Sequence, residues 1–90
     1  MMDTRFVNLV NEMKNVGTYM DRVMNKCEAN IGYDVKHTKL YAHADRCLRE
    51  ADQYEGLHGH EMNYKEKEVL RKLIDKLETL MYDFREYELI

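Results

Sequence analysis

Along the first third of the chain the residues Phe6, Val10, Met13, Gly17, Met20, Met24 and Cys27 follow one another in alternating steps of four and three. Along the last third Leu70, Leu73, Leu77, Leu80, Phe84 and Tyr87 do the same in steps of three and four. An average step of about 3.5 residues keeps an apolar seam on one side of a helix, facing a partner helix. Between them a narrower stripe runs through Leu40, Ala44, Cys47, Leu48, Ala51 and Tyr54. Its small side chains let neighbouring helices approach closely. The pattern predicts an all-α chain, an antiparallel three-helix bundle with helices over about residues 4–30, 35–54 and 64–88. Short links between them force an up-down-up order.

Cap and turn residues refine those limits. Asp3 or Thr4 suits the N-cap of the first helix. Gly17 falls on the first seam, either as a kink or as a place where another backbone comes close. The seam keeps its phase across it, which favours a continuous helix. Asn30-Ile31-Gly32-Tyr33-Asp34 reads as stop, turn and restart, with Gly32 beyond the helix end and Asp34 capping the next helix. Gly56-Leu57-His58-Gly59-His60 carries two glycines and is the clearest loop in the sequence. Asn63 followed by Glu66 has the spacing of a capping box, so the third helix starts near Tyr64.

Composition narrows the function classes. Ninety residues make one domain, and a lone monomer of that size is marginally stable, so self-association is expected. The chain lacks proline, and 34% of its residues are charged, with both signs interspersed. That fits solvated helix faces. A net charge of −3 argues against a dedicated nucleic-acid binder, which carries a basic excess. Cys27 and Cys47 both fall at apolar helix positions and read as free thiols of a reducing compartment. The start Met1-Met2-Asp3-Thr4-Arg5 has no basic region followed by an apolar run, so no signal peptide is expected. No run approaches the ~18 apolar residues needed to span a bilayer. A soluble, cytoplasmic protein is the expectation.

Three groups of residues carry candidate chemistry. His43 and Cys47 stand four apart, on one helix face, and can supply two ligands to a tetrahedral zinc. The loop histidines His58 and His60 are candidates to complete such a site, as are His37 and Cys27. No C-x-x-C pair accompanies them. Equally, Cys27 and Cys47 fit the apolar stripes as core thiols, and His43 fits a stripe boundary. Lys36, Lys39 and Arg46 make the second helix a candidate anion or nucleotide binder, since the exposed amides at its start favour anions. Asp34, Asp45, Glu50 and Asp52 are interleaved with them, and Asp45 pairs naturally with Arg49.

The third group is aromatic and thioether. Seven tyrosines and seven methionines are a high count for so short a chain, and they fit either a small helical core with its rim or an interaction surface. Tyrosine is enriched at interface hot spots, and methionine suits adaptable contact surfaces. The third helix ends in an extended apolar group, Tyr82, Phe84, Tyr87, Leu89 and Ile90, hard to bury in a small monomer. Asp83, Glu86 and Glu88 lie among them, where the helix dipole disfavours negative charge. These five residues, with Tyr19 and Met20 nearby, are the expected contacts of a protein partner. Removing residues 84–90 is then expected to abolish association without unfolding the domain.

Catalysis finds no support. The sequence has no glycine-rich phosphate loop, nucleophile elbow or H-E-x-x-H motif, and no serine at all. No cofactor is expected. In style the chain resembles small phage or mobile-element proteins, being short, rich in Met, Tyr and Asn, and without tryptophan. The function expected from the residues is that of a small helical interaction or regulatory protein. It binds an unidentified protein partner through a Tyr/Met-rich face and forms a homo-oligomer. The zinc and anion readings stand as alternatives.

Overall fold

The computed structural model describes residues 3–26 and 34–90 of the chain. Three α-helices pack pairwise in it: α1 (Thr4–Lys26), α2 (Val35–His58) and α3 (Tyr64–Glu86). The described residues contain no strand. The molecule measures 45 × 19 × 18 Å, and at 1.5 Å per residue each helix spans roughly 35 Å of the long axis. The expected bundle is therefore the observed one.

Cross-helix contacts fix the direction of each helix. Asp3 meets Tyr54 and Glu12 meets His43, so each step up α1 is a step down α2. Glu55 pairs with Arg71, and Tyr41 with Arg85, so α3 turns back again. Asp21 of α1 holds Lys76 of α3 at 2.8 Å. One end of the bundle thus gathers the start of α1, the end of α2 and the start of α3. The other gathers the end of α1, the start of α2 and the end of α3.

The core follows the stripes. Phe6, Val10, Met13 and Met20 are buried from the first seam, joined by Leu9 and Val16 beside it. Ala44, Cys47 and Ala51 are fully buried from α2, and Leu70, Leu77, Leu80, Met81 and Phe84 from α3. Burying a large apolar side chain stabilises by about 1.5–3 kcal/mol, and this set forms one contiguous cluster. Helix α1 runs unbroken through Gly17. A Cβ there would meet only Leu77 Cδ2 at 3.6 Å and Lys76 Cε at 3.8 Å, ordinary contacts. Gly17 therefore marks neither a kink nor a forced backbone approach.

The caps are where the spacing placed them. Asp3 Oδ1 accepts from the Arg5 amide and Asp34 Oδ1 from the Lys36 amide. Asn63 and Glu66 exchange side chain-to-amide bonds of 2.8 and 3.0 Å, a complete capping box. The end of the first predicted helix beyond Lys26, with Cys27 and the turn at Asn30–Tyr33, lies outside the described residues.

Two expectations fail. Gly56-Leu57-His58-Gly59-His60 is not a loop. Helix α2 continues to His58, and Gly59–Glu61 form a 3₁₀ turn that leads into the α3 cap. Neither glycine has positive φ. A helical glycine costs only about 1 kcal/mol, and neighbouring contacts exceed that here. Tyr54 packs on Phe6 and His58, Glu55 binds Arg71, and Met62 is buried just beyond. The apolar tail of α3 is only in part a free surface, with Phe84 and Leu89 buried and Tyr82, Tyr87 and Ile90 exposed. Glu88 adopts φ 55°, its amide donates to Arg85 O, and the Leu89 amide donates to Phe84 O at 2.9 Å. This is a Schellman turn, with Leu89 folded back to join Phe84 in the core.

Candidate functional site

Halfway along the α1–α2 contact three potential ligands converge. The antiparallel register sets Glu12 of α1 opposite His43 and Cys47, which α2 presents one turn apart. His43 Nε2 donates to Glu12 Oε1 across 2.8 Å. One ligand atom from each of the three residues lies within 4.8 Å of the other two. Glu12 and His43 are part-exposed, while Cys47 is fully buried. Burial pushes the Cys47 thiol up to about 11, helped by the charges of Glu12 and Glu50 and opposed by Arg46. A thiol held protonated at neutral pH is a poor nucleophile. Together the three donors make a candidate cation site.

The other proposed ligands are not there. His58 lies fifteen residues along α2 from His43, roughly 22 Å away on a straight helix. It is stacked at 4.8 Å on Tyr54, with Nδ1 3.4 Å from Glu61 Oε2. His60 is exposed beside it, 3.5 Å from the same carboxylate. Extension of α2 through Gly56 carried both histidines to the far end. His37 is buried edge-on against Phe84 at 6.0 Å, and its Nδ1 finds no hydrogen-bond partner among the described residues. Cys27 lies outside them. Glu12 is the ligand that reading the sequence missed. It sits one place from the Met13 seam position, and only the helix register reveals its neighbours.

Next to this cluster the α1–α2 surface opens into a groove of about 410 Å³, lined by Tyr19, Lys36, Lys39, Leu40 and His43. Two residues expected as anion ligands and one expected as a partner contact thus share a surface. Arg46 is exposed seven residues after Lys39, on the same flank and about 10 Å further along. Tyr19 is exposed, with the Arg22 guanidinium 5.5 Å from its ring centre.

The expected partner contacts divide into two sets. Tyr82, Tyr87 and Ile90 are exposed. Met20, Phe84 and Leu89 are buried, with 0%, 0% and 1% of their surface accessible, and cannot meet a partner of the folded chain. The Schellman turn explains the difference, because it folds the chain end inward onto Phe84. Loss of residues 84–90 therefore removes core, and is expected to unfold the domain.

No helix among the described residues is long and apolar enough to cross a membrane. No family model, curated protein or solved structure matches this chain.

Proposed function

We propose that the chain is a small helical interaction module that pairs with a second copy of itself through the end of the bundle where α2 begins and α3 finishes. The observation that carries this reading is complementarity within that end. One part is the groove of Tyr19 and Leu40 with two lysines, Lys36 and Lys39. The other is the exposed tail of α3, Tyr82, Tyr87 and Ile90, with Glu86 and Glu88. None of these four charged residues takes part in an ion pair among the described residues.

Both parts lie at one end of the molecule, because Phe84 packs on His37 and Arg85 donates to Tyr41. A two-fold axis there sets each copy's lysines against the other's carboxylates, an isologous arrangement that closes on itself. Exposed tyrosines supply apolar area at low entropic cost, and the charges set orientation.

Sedimentation velocity on the full chain tests the proposal. The native protein is expected to dimerise at submillimolar concentration. The doubles Lys36→Glu/Lys39→Glu and Glu86→Lys/Glu88→Lys should each be monomeric, since like charges then face one another. Mixed together they should pair again. A native chain that stays monomeric, or charge reversals that leave association unchanged, overturns the proposal.

A further inference from the structure

We propose that Glu12, His43 and Cys47 form a binding site for one zinc-class divalent cation, with its fourth position open to the α1–α2 groove. The site adjoins the groove of the pairing surface proposed above, through His43, but does not depend on that pairing.

The geometry comes first. Zinc bonds of about 2.0–2.3 Å at tetrahedral angles place ligand atoms roughly 3.2–3.6 Å apart. The three donors already lie within 4.8 Å of one another, and Glu12 and His43 are 2.8 Å apart. With no two donors more than 4.8 Å apart, closure needs shifts on the order of 1 Å, within the reach of side-chain rotation. His43 and Cys47 sit on consecutive turns of one helix, so the backbone holds them in place. Glu12 arrives from a different helix, and the cation would fasten α1 to α2.

The donor set selects the metal. A thiolate and an imidazole are poor ligands for magnesium or calcium, which take oxygen. Nitrogen, sulfur and carboxylate oxygen together suit zinc. One thiolate, one carboxylate and one neutral imidazole make a divalent complex with no net charge, which fits its half-buried position. On binding, the cation replaces the proton of the Cys47 thiol, which leaves to solvent, and takes the place of the His43–Glu12 hydrogen bond. The part-exposed faces of Glu12 and His43 provide the way in.

Titration of the full chain with cobalt(II), followed by zinc(II), reads the site directly. One equivalent of cobalt should produce the visible absorption of a tetrahedral ion and a thiolate-to-cobalt charge-transfer band. One equivalent of zinc should erase both and raise the melting temperature, by about 10 °C when free zinc exceeds its dissociation constant a hundredfold. Glu12→Gln, at a part-exposed position, should keep the fold and weaken binding by about tenfold or more. Cys47→Ser should lose the charge-transfer band. His58→Ala/His60→Ala should bind as the native chain does. Absence of a charge-transfer band in the native protein overturns the proposal. So does binding that survives Glu12→Gln unchanged but is lost in the double histidine variant.

Discussion

The two ends of the bundle are built on different terms. Where α1 starts and α2 meets α3, several polar groups pair across the helices, while Leu57 and Tyr64 stand exposed. Asp3 caps α1 and accepts from the Tyr54 hydroxyl at 3.3 Å. Tyr54 is sandwiched between Phe6 and His58, and burial with the Asp3 charge drives its phenol pKa above the usual value. Glu55 binds Arg71, Met62 is buried, and the Asn63–Glu66 box closes the start of α3. At the other end His37 keeps a buried nitrogen without a partner among the described residues, Glu88 stands in a left-handed conformation, and Tyr19, Tyr82 and Tyr87 face solvent. Local interactions that stabilise the fold are concentrated at the first end. The second carries the pairing surface proposed above, with Tyr19, Tyr82 and Tyr87 exposed.

Four substitutions probe that difference. Phe84→Ala attacks a fully buried anchor of the open end and should cost about 3–5 kcal/mol in urea denaturation, much of the stability of a domain this small. A cost near zero would mean that the tail is not part of the core. His37→Leu removes the unpartnered nitrogen while keeping an apolar side chain against Phe84, and should gain about 1–2 kcal/mol. If stability instead falls, the imidazole has a partner in the folded chain. At the closed end Asn63→Ala should cost about 1 kcal/mol, seen as a lower thermal midpoint, since it leaves the Glu66 amide without its acceptor. Glu88→Gly should raise the midpoint slightly, by about 0.5–1 kcal/mol of added stability, because glycine takes the left-handed position without steric penalty. No change there would place the strain elsewhere.

The same two ends explain what was legible in the sequence. Periodicity gave the three helices, and the Asn63/Glu66 spacing gave the start of α3 to the residue. Both are local signals that the final packing leaves in force. The continuity of α2 through Gly56 and the 3₁₀ turn that starts at Gly59 were not legible, because they depend on packing with Phe6, Arg71 and the buried Met62. The inward fold of Leu89 was hidden for another reason. Its left-handed residue is a glutamate, where glycine would have announced the turn. Of the candidate ion-binding cluster, His43 and Cys47 were visible as an i,i+4 pair. Their third member required the register of α1 on α2, which no single-helix pattern encodes. The distant His58 and His60 were drawn in only by the loop that does not form.

The burial of Cys47 has a consequence for motion. A protonated sulfur with 0% exposure at the middle of α2 cannot meet a reagent while α1 and α3 cover it. Alkylation at Cys47, followed by peptide mass, therefore proceeds only through openings of the bundle. When reclosing outruns the reagent, its rate against that of an unfolded thiol gives the free energy of those openings. The chain carries at its centre a clock for its own breathing, read from a residue it already has.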